Sequence, residues 1–154
     1  MSVLPARYRE FVDAPHQPSP MWAWLAASEE VPSATAVMSA LTERFGPELK
    51  MQMVSPPASA NAVWEVACTL GERAFSAWAQ KSHRTDSLHF QKDHRVLTDD
   101  ERRTLDESRW SLGVTLTFGD APLDDFHFQL RALVAVAPRA VAAFDLAAYR
   151  LHHY

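Results

Sequence analysis

Residues 110–118 read W-S-L-G-V-T-L-T-F, with Trp110, Leu112, Val114, Leu116 and Phe118 separated by Ser111, Gly113, Thr115 and Thr117. Successive strand side chains point to opposite faces, so this pattern predicts a strand with one apolar face and one small, weakly polar face. Residues 62–70 alternate in the same way, with Trp64, Val66, Cys68 and Leu70 on the inward side. Gly71 and Glu72 suit a two-residue turn into a return strand over 73–79. Ala74, Phe75, Trp78 and Ala79 also fit a helical stripe there. Shorter strands are expected at 22–28 and 50–54, bounded by Glu29 and Glu30 and by Pro56 and Pro57.

Three segments carry helical periodicity. Ser33 supplies helix-start chemistry, Ala34, Met38, Leu41 and Phe45 recur at three- and four-residue steps, and Gly46-Pro47 stops the run. Thr98 with Glu101 forms a capping-box signature for a short surface helix to about residue 108. Pro122, Asp124 and Asp125 open a third helix, since negative charge suits the positive end of the peptide dipoles. Its expected apolar stripe is Leu123, Phe126, Leu130, Leu133 and Ala137. Pro138 ends it, and residues 140–146 alternate as a final strand.

The last strand, helix and strand have the size of a crossover unit joining two parallel strands. With a hairpin in the middle of the chain, the expected fold is α+β: a single mixed β-sheet packed by two main helices, with a C-terminal β-α-β crossover. The expected organisation is an irregular lead-in over 1–21, rich in proline, one domain over 22–149, and a tail over 150–154.

Composition narrows the class. At 154 residues with 47% hydrophobic and 22% charged residues, the chain suits one compact core. A net charge of −4 offers no overall positive field for a phosphate backbone, so nucleic acid is not an expected partner. No apolar run approaches the roughly 20 residues of a bilayer-crossing helix, so no membrane span is expected. Cys68 is the only cysteine, and no signal-peptide pattern opens the chain, which points to the cytoplasm.

The segments W-S-L-G-V, P-L-D-D-F-H-F-Q-L-R-A-L and P-R-A-V-A-A-F-D, in that order, resemble a group of uncharacterised bacterial proteins classed as domains of unknown function. The resemblance covers residues 110 to about 153, and the earlier part matches in the order of its elements. It implies a cytoplasmic bacterial α+β domain, in chains that continue beyond the final Asp and His. It implies no catalytic residues.

Several side chains are candidates for chemistry. His83, His89 and His94, with Asp86 and Asp93 between them, offer nitrogen and carboxylate ligands for zinc or another divalent metal. Their spacing matches no established metal motif, and Lys81, Arg84, Lys92 and Arg95 would repel a cation, so a plain polar loop is the favoured reading and a metal site the alternative. Asp120 and Asp145 are expected at the carboxyl ends of the crossover strands, where open parallel sheets gather ligands, with His127 and Arg131 on the helix between. Helix capping and a core-bordering histidine are the structural alternative. Cys68 on an inward strand face reads as a buried small hydrophobe. Trp22, Trp24, Trp64, Trp78 and Trp110 are assigned mainly to the core, while an uncovered sheet face around Thr115 and Thr117 would receive a protein partner or a second copy of the chain.

No nucleophile elbow, phosphate-binding glycine loop or paired-cysteine motif occurs in the sequence, and no cofactor is expected. The function expected is therefore a noncatalytic binding, regulatory or accessory module, immunity-like in character. The alternatives are a metal-assisted hydrolase using the histidine-rich loop and a small-ligand sensor at the ends of the crossover strands.

Overall fold

A computed structural model describes residues 18–82, 97–145 and 150–153. Its strands are β1 (Pro18–Leu25), β2 (Lys50–Met53), β3 (Ala62–Leu70), β4 (Arg73–Lys81), β5 (Trp110–Thr117), β6 (Ala140–Asp145) and β7 (Arg150–His153). Its helices are α1 (Ala34–Phe45), α2 (Asp99–Glu107) and α3 (Pro122–Val136). β1 starts inside the expected lead-in, and residues expected as a tail form β7.

The local signals act as their chemistry requires. Ser33 Oγ accepts from the Ala36 N–H at 3.1 Å to start α1, and the Gly46 N–H returns to the Thr42 carbonyl at 2.8 Å to end it. Gly71, at φ 61°, opens the two-residue turn between β3 and β4, a conformation open to glycine at little steric cost. Pairing of Leu70 with Arg73 then fixes the hairpin, so that the helical alternative for β4 is not taken. The capping box of α2 is complete: the Glu101 N–H donates to Thr98 Oγ1 at 3.2 Å, and the Thr98 N–H donates to Glu101 Oε2 at 2.9 Å.

All seven strands form one sheet in the order β2-β3-β4-β5-β1-β6-β7. The single-sheet α+β architecture and its crossover are present. The sheet is not mixed, because every neighbouring pair is antiparallel. β5 and β6 run in the same direction, as a crossover requires, but β1 lies between them and is antiparallel to both. Inserting β1 replaces one parallel pairing with two antiparallel ones, whose hydrogen bonds lie perpendicular to the strands and are slightly more stable per residue.

α1 and α3 cover one face. Val37 and Leu41 of α1 and Phe128, Ala132, Leu133 and Val136 of α3 pack on Met21, Val66, Ala77, Leu112, Val114 and Leu116. Phe128 anchors this layer, with its ring centroid 4.9 Å from that of Phe45 and 5.1 Å from that of Phe75. The buried stripe of α3 differs from the apolar periodicity. Leu123 is 44% and Val134 54% exposed, whereas Asp125 and Gln129 are buried. Polar partners account for the rotation. Gln129 Nε2 donates to the Ser19 carbonyl at 2.6 Å and the Val114 carbonyl at 2.9 Å, so the helix is tied to β1 and β5 by an amide that a hydrophobicity pattern discounts. On the opposite face, α2 and Leu97 pack over Trp24, Ala142 and Phe144.

Candidate functional site

The small face of β5 is a seat for an aromatic ring. Gly113 pairs with Trp22 on β1 and with Trp78 on β4, and Trp22 and Trp78 in turn pair with Phe144 and Glu65. One row thus crosses five strands on the face opposite α1 and α3: Phe144, Trp22, Gly113, Trp78, Glu65. Directly opposed residues share a face at close range. At Gly113 the Trp78 indole takes the place of a side chain, since a Cβ there would overlap Cζ2 and Cη2 of the ring. Trp78 Nε1 donates to Thr115 Oγ1 at 2.9 Å, which fixes the ring and satisfies its polar edge.

The row divides at Gly113. Towards β6, the Trp22 ring lies 4.9 Å from that of Phe144 and joins the cluster under α2. Towards β3, Trp78 lines a cleft of about 340 Å³ with Glu65, Ser76, Gln80 and the 58–62 segment. Glu65 Oε2 accepts from the Ala58 N–H at 2.8 Å, which holds that segment as the cleft wall.

Two other concavities border the helix-covered face. At the carboxyl end of β5, a polar cleft of about 540 Å³ is lined by Glu72, Arg73, Gly119, Asp120 and Asp125. Its centre is already occupied by internal bonds. Arg73 Nε and a terminal guanidinium nitrogen both lie 2.8 Å from Asp125 Oδ1, Asp125 Oδ2 accepts from the Gly119 N–H at 2.7 Å, and the guanidinium sits 4.6 Å from the Phe128 ring centroid. This arrangement clamps the start of α3 to the β3–β4 hairpin. Between α1 and α3, an apolar groove of about 300 Å³ is lined by Leu25, Ala36, Val37, Leu112 and Val136, with Arg139 and Glu29 3.6 Å apart at its edge.

The residues expected to form a ligand site are not gathered in one place. Asp145 is fully buried, in register with Met21, whereas β5 continues to Thr117, which is paired with Pro18. That register separates the two strand ends by about 10 Å along the strands and by a further 10 Å or so across β1. Asp120, His127 and Arg131 are exposed, and Gln129, between the last two in sequence, turns inward. His83, His89 and His94 lie outside the described residues. Among the described residues, no group of three or more His, Cys, Asp or Glu side chains could hold a metal. Cys68 is buried, and burial pushes its thiol up to about 12 against an opposing hydrogen bond with the Ala77 backbone, the direction that disfavours a nucleophilic thiolate.

Sequence reasoning placed Trp78 in the core and passed over Glu65. A signal for the pair existed: a two-residue turn at 71–72 makes paired positions on β3 and β4 sum to a constant, which sets Glu65 against Trp78. The seat on Gly113 had no such signal, because the pairing of β4 with β5 spans a long connection.

Fold and site together define an antiparallel α+β domain with one helix-packed face and one face that is only half covered by described residues. The chain belongs to the family described as Protein of unknown function (DUF4026) N-terminal, whose match spans residues 19–153 and so covers most of the chain rather than only its last third. No curated protein and no solved structure matches it. Among the described residues, no helix is long and apolar enough to cross a membrane.

Proposed function

We propose that the chain is a noncatalytic binding module of the bacterial cytoplasm that receives a partner on the open half of its sheet. The seating of Trp78 carries this reading. A large aromatic ring is fixed over Gly113 and tied to Thr115 before any partner arrives, and it lines a cleft. A ring ordered in advance loses little side-chain entropy on binding, which is why rigid aromatics serve as anchors at interfaces. Among the described lining residues the ionisable one is Glu65, and it accepts from the Ala58 N–H, an arrangement suited to recognition. The resemblance of residues 110 to about 153 to uncharacterised bacterial proteins supports the bacterial setting, and a single buried cysteine suits a reducing compartment.

A fragment screen read by NMR on the tryptophan indole N–H signals tests the reading. Fragments are expected to shift the Trp78 indole signal together with backbone amides of Ala58, Ser76 and Gln80, and Trp78→Ala should abolish those shifts while the protein keeps its cooperative melt. Hits confined to the Arg73–Asp125 cleft or the α1–α3 groove, or no hits at all, would overturn it.

A further inference from the structure

We infer that the Trp78–Glu65 cleft recognises a flat cation, the guanidinium of an arginine side chain presented by a partner polypeptide; this rests on the binding-face reading above. The indole Nε1–H is already used by Thr115, so what the ring offers a ligand is its π-face. That face is electron-rich and attracts cations. Glu65 stands directly across from Trp78 on the neighbouring strand and places a carboxylate at the edge of the same cleft. Among the described residues that line the cleft there is no Lys, Arg or His, and the whole chain carries a net charge of −4.

The chemistry selects among ligands. An anionic group would meet Glu65 without a compensating cation among the described lining residues. A lysine ammonium is a compact, strongly hydrated charge that cannot stack, whereas a guanidinium is planar, weakly hydrated and carries five N–H donors in its plane. A guanidinium stacked on Trp78 would direct those donors outward past the ring's edge, and three residues that line the cleft, Glu65, Ser76 and Gln80, carry acceptor oxygens. Glu65 Oε2 is positioned by the Ala58 N–H, so the carboxylate is held without being neutralised. A volume of about 340 Å³ lies at the small end of ligand pockets, which suits one inserted side chain.

The test is an NMR titration of the intact protein with four probes: a capped Gly-Arg-Gly peptide, its citrulline and lysine counterparts, and methyl glucoside as a neutral ligand for the same aromatic platform. The arginine peptide should shift the Trp78 indole signal at millimolar concentration, with affinity falling as salt is raised. Citrulline keeps the shape and loses the charge, so it should bind about tenfold more weakly, and lysine severalfold more weakly. Glu65→Gln retains an oxygen for the Ala58 N–H and should weaken the arginine peptide by about tenfold while removing most of its salt dependence. Citrulline or glucoside binding as tightly as arginine, or an unchanged affinity in Glu65→Gln, would overturn the cation assignment and leave the binding face standing. If fragments bind at Trp78 but none of the four probes does, the assignment also falls alone; if neither fragments nor probes bind there, both readings fall.

Discussion

On the face under α1 and α3, Met21, Val66, Ala77, Leu112 and Val114 are fully buried among apolar neighbours. Across the same strands, the other face carries Glu65, Ser76, Trp78, Thr115 and Gly113, of which only Gly113 is buried, beneath the Trp78 ring. The first face excludes water to hold the domain together. The second keeps an aromatic ring ordered yet partly in contact with solvent. One sheet does both because the period-two alternation of a strand separates the two sets of side chains completely.

Truncation on the two faces should therefore differ most. Phe128→Ala, which empties the centre of the packed layer, is expected to cost about 3–5 kcal/mol in urea denaturation. Trp78→Ala, which removes a half-buried ring from the open face, should cost about 1–2 kcal/mol. Equal losses would erase the distinction and make Trp78 a core residue.

Gly113→Ala sharpens the contrast within the open face. Its new methyl group must displace the Trp78 ring, at a cost of about 1–3 kcal/mol, and the Trp78 indole N–H signal should move as the bond to Thr115 is lost. A native-like stability and an unmoved signal would show that the ring is not seated there.

Thr98→Ala removes the cap of α2 and should cost about 1 kcal/mol. Hydrogen exchange should speed up in α2 and leave α1 and α3 unchanged, because among the described residues α2 packs on the small cluster around Trp24 and Phe144, on the face opposite α1 and α3. Faster exchange throughout α3 would mean that the two faces are not independently organised.

The smallest effect at neutral pH belongs to Cys68 on the packed face. Its folded thiol is pushed up to about 12 from 9.0, so above about pH 9 the unfolded chain releases a proton that the folded chain keeps. Stability should be insensitive to this group below pH 9 and should fall as pH rises from there towards 12. Cys68→Ala should remove that alkaline component of the stability profile; an unchanged profile would place the thiol in water.

Much of the architecture was legible one segment at a time. The strands at Ala62–Leu70 and Trp110–Thr117, the caps at Ser33 and Thr98, the stop at Gly46 and the turn at Gly71 each rest on interactions within a few residues. The same locality explains the differences. The face that α3 buries was set by Asp125 and Gln129, whose partners Arg73 and Ser19 lie 52 and 110 residues away. The expected cluster of Asp120, His127, Arg131 and Asp145 assumed adjacent parallel strands, and the insertion of β1 sets the strand ends near Asp120 and Asp145 apart.

Taken alone, the sequence determined the three helices, the central strands β3 and β5 with their apolar sides, and the caps and turn that bound them, but neither the start of β1 nor β7, because the former follow from backbone sterics, local hydrogen bonds and periodicity. Only the tertiary structure decided strand order, the rotation of α3 and the meeting of Glu65, Trp78, Gly113 and Trp22 in one row. Those depend on which distant surfaces bury each other most favourably, a choice made by the whole chain at once.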